Sequence, residues 1–183
     1  MFKALRHFIT ITRHRHMVMR YCFKAGLYKQ GLLHDLSKYS FQEFIPSVKY
    51  YAYGKYSPNA NERKSKGYSS AWLHHKGRNK HHCEYWYDYN LDLKMYAPVE
   101  MPNRYIAESI CDRIAASKNY NRKNYTPEMA LDYFLQEKYR LVMHPETIRK
   151  TEMLLRMYVD KGEKFLFKYL KKHYRNNLTS EKK

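Results

Sequence analysis

Apolar residues recur at intervals of three and four along most of this 183-residue chain, which is the spacing of one face of an α-helix. In the segment NRYIAESICDRIAAS, for example, Ile106, Ile110 and Ile114 form an i, i+4 ladder. Alternating β-branched residues, the pattern typical of strands, are almost absent, and glycines number only 6. The pattern predicts an all-α fold that needs no strands.

Caps and prolines divide the pattern into separate helices. Ser40 and Glu43 resemble a capping box, with Pro46 expected to break or bend the helix that follows. The polar segment SPNANERKSK is predicted to be a loop. The predicted helices cover about 2–24 (or 13–24), 28–36, 40 onward, 69–76 with a resumption near 81, 103–117, 126–143, 144–160 and 163–177.

Neither a domain linker nor an internal repeat interrupts the chain, and its length suits one hydrophobic core. We therefore expect a single helical domain over residues 1–175, with C-terminal helices at about 126–175 and a disordered basic tail at 176–183. These C-terminal helices can cover the core or form a dimer face, and the sequence leaves the oligomeric state open.

Cysteine usage and hydropathy indicate a soluble protein of a reducing cytoplasm. The three cysteines have no CxxC spacing, so neither a disulfide framework nor a thiolate zinc site is predicted. No apolar run approaches the roughly 20 residues that span a bilayer, which predicts no membrane insertion. The formal net charge of +18 attracts polyanions, which makes nucleic acid a possible partner.

Adjacent His34 and Asp35, in the segment GLLHDLSKYS, are the strongest chemical signal. They follow an apolar run, and a carboxylate that enters the interior without a compensating cation is costly. Asp112 likewise interrupts an isoleucine-rich helix. Imidazole and carboxylate groups from separate helices are what a divalent metal site requires. The candidate ligands in the first two thirds of the chain are His16, His34, Asp35, His74, His75, His81, His82 and Asp112.

Two histidine pairs leave the ligand set open. Consecutive helical residues point about 100° apart, so usually one member of His74–His75 and one of His81–His82 can face a metal. The remaining histidines are interpreted as bystanders: His7, His14, His144 and His173.

The order of these residues resembles the HD-domain superfamily, whose members are helical, bind divalent metals and are mostly phosphohydrolases. The resemblance covers about residues 10–120, the expected metal-binding core. It implies that His16 is the leading histidine, His34 and Asp35 the doublet, and Asp112 the closing aspartate. Members with two metals have a longer pattern, in which His75 (or His74) and the His81–His82 pair supply the middle section.

A closer resemblance is to an uncharacterised family of small HD-like proteins in bacteria and their phages. It rests on HDLSK at 34–38, on Trp72 followed by two histidines, and on the segment from Asn79 through His81–His82 to Trp86. This family brings no established activity.

The resemblance implies a metal-dependent hydrolase that cleaves a phosphoester with a metal-activated water; its substrate is a nucleotide, another small phosphorylated molecule or nucleic acid. Two cations about 3.5–4 Å apart can clamp a phosphoester during in-line attack, with Asp35 as the natural bridging ligand. Lys38 can neutralise charge on the transferring group, Arg78 and Arg104 can hold a phosphate, and Glu108 can orient a ligand or act as a general acid or base. One or two ions are expected, from Mn, Fe, Ni, Co, Mg or Zn.

Two alternatives remain open at this stage. Some HD-like proteins are diiron oxygenases that use a similar histidine-rich site. A basic nucleic-acid-binding protein with a structural metal is also consistent with the charge, although structural sites usually favour cysteine ligands.

Overall fold

Helices make up nearly all of the regular structure in the computed structural model, which describes residues 2–53 and 56–175. These residues form α1 (Phe2–Lys24), α2 (Tyr28–Leu33), α3 (Phe41–Lys49), α4 (Pro58–Lys66), α5 (Ser70–Lys76), α6 (Asn103–Asn121), α7 (Pro127–Glu137) and α8 (Pro145–His173). A small antiparallel sheet pairs β1 (Tyr87–Asn90) with β2 (Met95–Pro98). The predicted all-α class is confirmed. None of the described helices is both long enough and apolar enough to cross a bilayer.

The core is built around α6, which packs against α1, α7 and α8. The predicted ladder of Ile106, Ile110 and Ile114 is completely buried there, facing Val18 of α1 and Leu154 of α8 in one apolar cluster. The opposite face of α6 carries smaller and polar residues, including Asp112. A single helix therefore supplies both the centre of the core and one wall of the candidate site.

The segment predicted as a polar loop is instead a helix, α4. Pro58 occupies its first turn, where the missing N–H costs nothing. The buried carboxylate of Glu62 accepts hydrogen bonds from the hydroxyls of Ser69 and Ser70, at 2.8 and 2.7 Å. The prediction was wrong because contacts with the start of α5 stabilise a helix that has almost no apolar face.

The predicted resumption of helix near His81 is also wrong. A short 3-10 turn at Cys83–Tyr85 leads into β1 and the hairpin, in which Tyr87 pairs with Pro98. The side-chain oxygen of Asn90 accepts hydrogen bonds from the backbone N–H groups of Asp92 and Leu93 and stabilises the turn. A hairpin this short and exposed has too few buried positions to show a clear alternation in the sequence.

Several helix boundaries differ from the prediction; α2, for example, ends at Leu33 rather than at 36. Pro46 lies inside α3, and the helix continues past it to Lys49. The helix from Pro127 ends at Glu137 rather than at Met143. The two predicted C-terminal helices are confirmed as two helical segments of α8, separated at Gly162, whose backbone is non-helical (φ 78°, ψ 172°). The predicted tail at 176–183 lies outside the described residues.

Candidate metal centre

The backbone turns sharply after α2 and places two consecutive polar side chains in the interior. Asp35 adopts a left-handed conformation (φ 54°), which aspartate tolerates better than most residues, and a 3-10 turn at Leu36–Tyr39 follows. His34 and Asp35 are 2% and 1% exposed. A regular helix would have sent these neighbouring side chains in different directions.

Two groups of potential ligand atoms meet at Asp35. The first consists of His14, His34, Asp35 and Asp112, and the second consists of Asp35, His75, His81 and His82; within each group the ligand atoms lie within 4.8 Å of one another. Both groups have the composition and spacing to hold a metal ion.

Each carboxylate oxygen of Asp35 faces a different group. Oδ2 lies 3.3 Å from Nε2 of His34 and 4.0 Å from Nε2 of His14. Oδ1 lies 3.3 Å from Nε2 of His75 and 3.5 Å from Nε2 of His81. The arrangement suits a carboxylate that bridges two ions.

Contacts within each group are equally close. In the first group, Nε2 of His14 lies 2.9 Å from Oδ1 of Asp112. In the second, the Nε2 atoms of His75 and His82 lie 2.9 Å apart. The five Nε2 atoms and the two aspartates therefore converge on one region from α1, the turn after α2, α5, the loop after α5, and α6.

Three buried polar atoms of the cluster lack a hydrogen-bond partner among the described residues, namely Nε2 of His34, Nε2 of His81 and Oδ1 of Asp35, whereas Oδ2 of Asp35 pairs with the ammonium of Lys38. Unsatisfied polar atoms are rare in protein interiors because each costs free energy. Three such atoms in one cluster fit bound metal ions, which would satisfy them.

Glu108 orients two of the histidines. Its Oε1 accepts a hydrogen bond from Nδ1 of His34 at 3.0 Å. The same oxygen lies 3.2 Å from Nδ1 of His81, within ion-pair distance. Its Oε2 accepts a hydrogen bond from Gln30 at 2.8 Å, and Gln30 in turn accepts one from Nε of Arg104 at 3.0 Å. With Nδ1 engaged in this way, Nε2 of each ring is left to bind a metal.

Glu43 orients His75 in the same manner and resolves one of the open pairs. Its two carboxylate oxygens lie 2.8 Å from Nδ1 of His75 and 2.7 Å from Nδ1 of His74. His75 belongs to the second donor group. His74 belongs to neither donor group, and its ring contacts the carboxylate of Glu43. Both His81 and His82 belong to the second donor group, because they lie in a turn, where the divergence expected of consecutive helical residues does not apply.

The charges of the cluster shift the pKa values of its members. Burial opposes ionisation of Asp35, but His34 and Lys38 outweigh it and hold the pKa of Asp35 well below its usual range. Burial likewise opposes ionisation of Glu108, yet its hydrogen bonds with His34 and His81 lower its pKa to about 2. Burial, reinforced by the neighbouring His81, lowers the pKa of His82 well below its usual value. The carboxylates are therefore charged and His82 is neutral, the forms that bind metals. His34 differs, because burial opposes its protonation but the Asp35 and Glu108 carboxylates outweigh burial and raise its pKa to about 10, so a metal ion bound at His34 would displace a proton.

The structure replaces His16, the predicted leading histidine, with His14. His16 is exposed on α1, while His14 is buried and contacts Asp112. Two residues along a helix rotate by about 200°, so the two side chains point in nearly opposite directions. The signal was present in the sequence, since His14 falls on the same helical face as Ile11 and Val18, which point to the core.

Of the predicted substrate-binding residues, Lys38 alone contacts the cluster. Its ammonium lies 2.6 Å from Oδ2 of Asp35. Arg78 is exposed, and its guanidinium contacts the backbone oxygen of His74. Arg104 binds Gln30 and therefore reaches the cluster only through Glu108. These positions do not agree with phosphate binding by Arg78 and Arg104.

A cavity of about 550 Å³ adjoins the second group. His81, His82 and Asp112 line one end, and residues of α6, α7 and α8 form the walls. The sequence does not predict this cavity, because a pocket between helices depends on how the helices pack. Small residues on the polar face of α6, such as Ala116 and Ser117, were its one signal in the sequence.

Comparisons with known proteins give one match. Neither the curated proteins nor the solved structures contain a match to this chain. The profile of a family of unknown function matches residues 3–157, which include every member of both donor groups. The chain therefore belongs to DUF5662, a family of unknown function.

Proposed function

We propose that this protein is a metal-dependent hydrolase of the HD type that cleaves a phosphoester by attack of water. The observation that carries the proposal is the position of Asp35 between two donor groups, with one carboxylate oxygen directed at each. A shared carboxylate flanked by imidazoles is the arrangement used to hold two cations close together.

The corrected set of donors strengthens the resemblance to HD-domain proteins. With His14 in the leading position, the order along the chain is histidine, the His34–Asp35 doublet, His75, the His81–His82 pair and finally Asp112. This is the longer pattern of members with two metals, and every residue in it belongs to one of the two groups.

The donor set also indicates which metals fit. Five imidazoles and two carboxylates form a nitrogen-rich site, which suits Mn, Fe, Co, Ni or Zn better than Mg, an ion that prefers oxygen ligands. Bound divalent ions would lower the pKa of a coordinated water and offset the charge of the phosphoryl oxygens.

The chain's own residues prepare the site for this chemistry. Glu108 and Glu43 fix the imidazoles through Nδ1, so that these rings need no reorientation when an ion binds. Lys38 places a positive charge at the edge of the cluster, where it can neutralise an anionic substrate group. The adjoining cavity gives a small molecule access to His81, His82 and Asp112.

The test is metal analysis followed by an activity screen. Protein purified without a histidine tag should contain about two transition-metal ions per chain by elemental mass spectrometry, and Asp35→Ala should contain none. The metal-loaded protein should release phosphate from at least one compound in a panel of phosphomonoesters, phosphodiesters and nucleotides. Absence of metal after reconstitution, or of cleavage across the whole panel, would refute the proposal.

A second candidate, an HD-type diiron oxygenase, is favoured by a different observation. Arg78 and Arg104 lie away from the cavity, and its one guanidinium, Arg113, is paired with Glu137. A phosphate group would therefore find no free arginine there, whereas oxidation of an uncharged substrate needs none. Iron as the bound metal, an electronic spectrum that changes with oxygen and no phosphatase activity would favour this candidate.

A further inference from the structure

The cavity beside the candidate metal centre has a composition that defines what it can bind. One face of α6 forms its longest wall, through residues spaced at helical intervals from Ser109 to Asn121. Ser109, Ala116 and Ser117 are small, and their size makes room for the cavity against α7 and α8. A volume of about 550 Å³ falls within the usual range for small-molecule sites.

The walls of the cavity are mainly aromatic and apolar. Trp72 lies close to the metal centre, where its ring contacts that of His82 in an edge-on arrangement with 4.8 Å between centroids. Met129, Met143 and Leu141 add flexible and aliphatic surface. Such walls bind a flat or aliphatic body by dispersion and by the hydrophobic effect.

The charges around the cavity oppose a polyanion. Among the described residues, its lining contains one guanidinium, Arg113, and three carboxylates: Glu84, Asp112 and Glu137. Arg113 is also engaged, since Nη1 lies 2.5 Å from Glu137. The chain as a whole carries a formal net charge of +18, whereas the charges of these four lining side chains sum to a negative value. The described walls away from the metal centre therefore offer no unpaired cation to the phosphates of a nucleoside triphosphate or a nucleic acid strand, and an anionic group is better placed at the end near Lys38 and the donor cluster.

We propose that the cavity binds the uncharged, largely apolar body of a small aromatic or alicyclic substrate. In this position the single reactive polar end of the substrate lies at His81, His82 and Asp112. This proposal rests on the proposed function in one respect: it takes the donor cluster as the centre of the reaction. It narrows the substrate from any phosphorylated compound to a monoester of an apolar alcohol or phenol.

The first test measures binding without reaction. We expect 1-naphthol, which is uncharged and has no phosphate, to bind the wild-type protein with a measurable heat in titration calorimetry. Ala116→Leu should weaken this binding at least tenfold, because the added side chain fills the cavity from α6. The matched control is Ala4→Leu, the same substitution at a partly buried position of α1 that does not line the cavity, and it should bind as the wild type does.

Failure to fold is excluded by a thermal melt, and Ser117→Leu is a second variant should Ala116→Leu prove unstable. Absence of 1-naphthol binding to the wild type, or equal binding by the cavity-filled variants, overturns the proposal.

The second test separates this proposal from the proposed function. Metal-loaded protein should hydrolyse 1-naphthyl phosphate at least tenfold more efficiently, by kcat/KM, than glycerol phosphate or ATP. Binding of 1-naphthol without hydrolysis of any phosphate ester would refute the hydrolase but support the cavity's specificity. A preference for ATP over 1-naphthyl phosphate would support a hydrolase and overturn the inference about the substrate.

Discussion

His34 and Glu108 lie 74 residues apart in the sequence, yet Nδ1 of His34 is only 3.0 Å from Oε1 of Glu108. This hydrogen bond joins the turn after α2 to the central helix α6. Because an ionised carboxylate can only accept, Nδ1 of His34 carries a proton, and Nε2, which faces the donor cluster, is the ring atom left to bind a metal. One contact between two elements thus stabilises the fold and sets the chemical form of a metal ligand.

Glu108→Gln should weaken metal binding 10- to 100-fold, the range found when such orienting partners are changed. The amide keeps the shape of the side chain but loses the charge that holds Nδ1–H of His34 and faces His81. Competition titration with a chelator of known affinity for Mn or Zn measures the effect. The matched control is Glu163→Gln, a carboxylate paired with Lys24 and Lys118 away from the cluster. Equal affinities in the two variants would contradict the orienting role.

His14→Ala and His16→Ala should behave differently although the residues lie on the same helix. His14 contacts Asp112 in the first donor group, and its loss should remove one ion per chain. His16 is exposed, and its loss should leave the metal content unchanged. Elemental mass spectrometry of both purified variants gives the stoichiometry. A loss of metal in His16→Ala with full occupancy in His14→Ala would refute the assignment made from the structure.

Asp35→Asn should remove both ions, whereas His82→Ala should remove one. Asp35 belongs to both donor groups, and His82 belongs to the second group alone. The comparison therefore distinguishes a bridging carboxylate from an ordinary ligand. The metal content of each variant is measured after reconstitution with excess Mn and removal of the unbound ion. Retention of one ion by Asp35→Asn would show that Asp35 does not bridge.

Much of the site could be predicted from residue types and their order. The cluster contains His34, Asp35, His75, His81, His82 and Asp112. His34, Asp35 and Asp112 were conspicuous because they follow or interrupt an apolar segment, and the three other histidines because of their clustering and their place in the family resemblance. The identity of the leading histidine was wrong because the expectation came from a motif order rather than from the helical face. Applying the same periodicity that identified the α6 ladder to α1 would have selected His14.

The remaining errors concern contacts between segments distant in sequence. Nothing near Arg104 indicates that its guanidinium binds Gln30 instead of a substrate, and nothing near Glu43 indicates that it faces two histidines. Likewise, α4 is helical because Glu62 is held by serines at the start of α5. Local propensity is a weak guide where tertiary contacts decide the conformation.

Glu62 provides a prediction about stability that is independent of the metal. Its carboxylate is buried between α4 and α5, the helix that carries His75. Burial opposes ionisation, but hydrogen bonds from Ser70 and Ser69 and the neighbouring Lys66 lower its pKa from 4.5 to about 2. A carboxyl group whose pKa is lower in the folded than in the unfolded protein stabilises the fold while it is ionised in both states.

Wild type should therefore exceed Glu62→Gln in free energy of unfolding by at most about 3 kcal/mol at neutral pH. Because the folded pKa is depressed, this advantage is fully present above the unfolded value of 4.5 and is lost as the pH falls toward about 2. Urea unfolding of both proteins at pH values from 2 to 7, after removal of metal with a chelator, measures the difference. Asp132→Asn, an amide substitution at an exposed position of α7, is the control and should differ little from wild type in free energy of unfolding. A difference between wild type and Glu62→Gln that stays constant across this range would show that the Glu62 side chain contributes through packing, not through its charge.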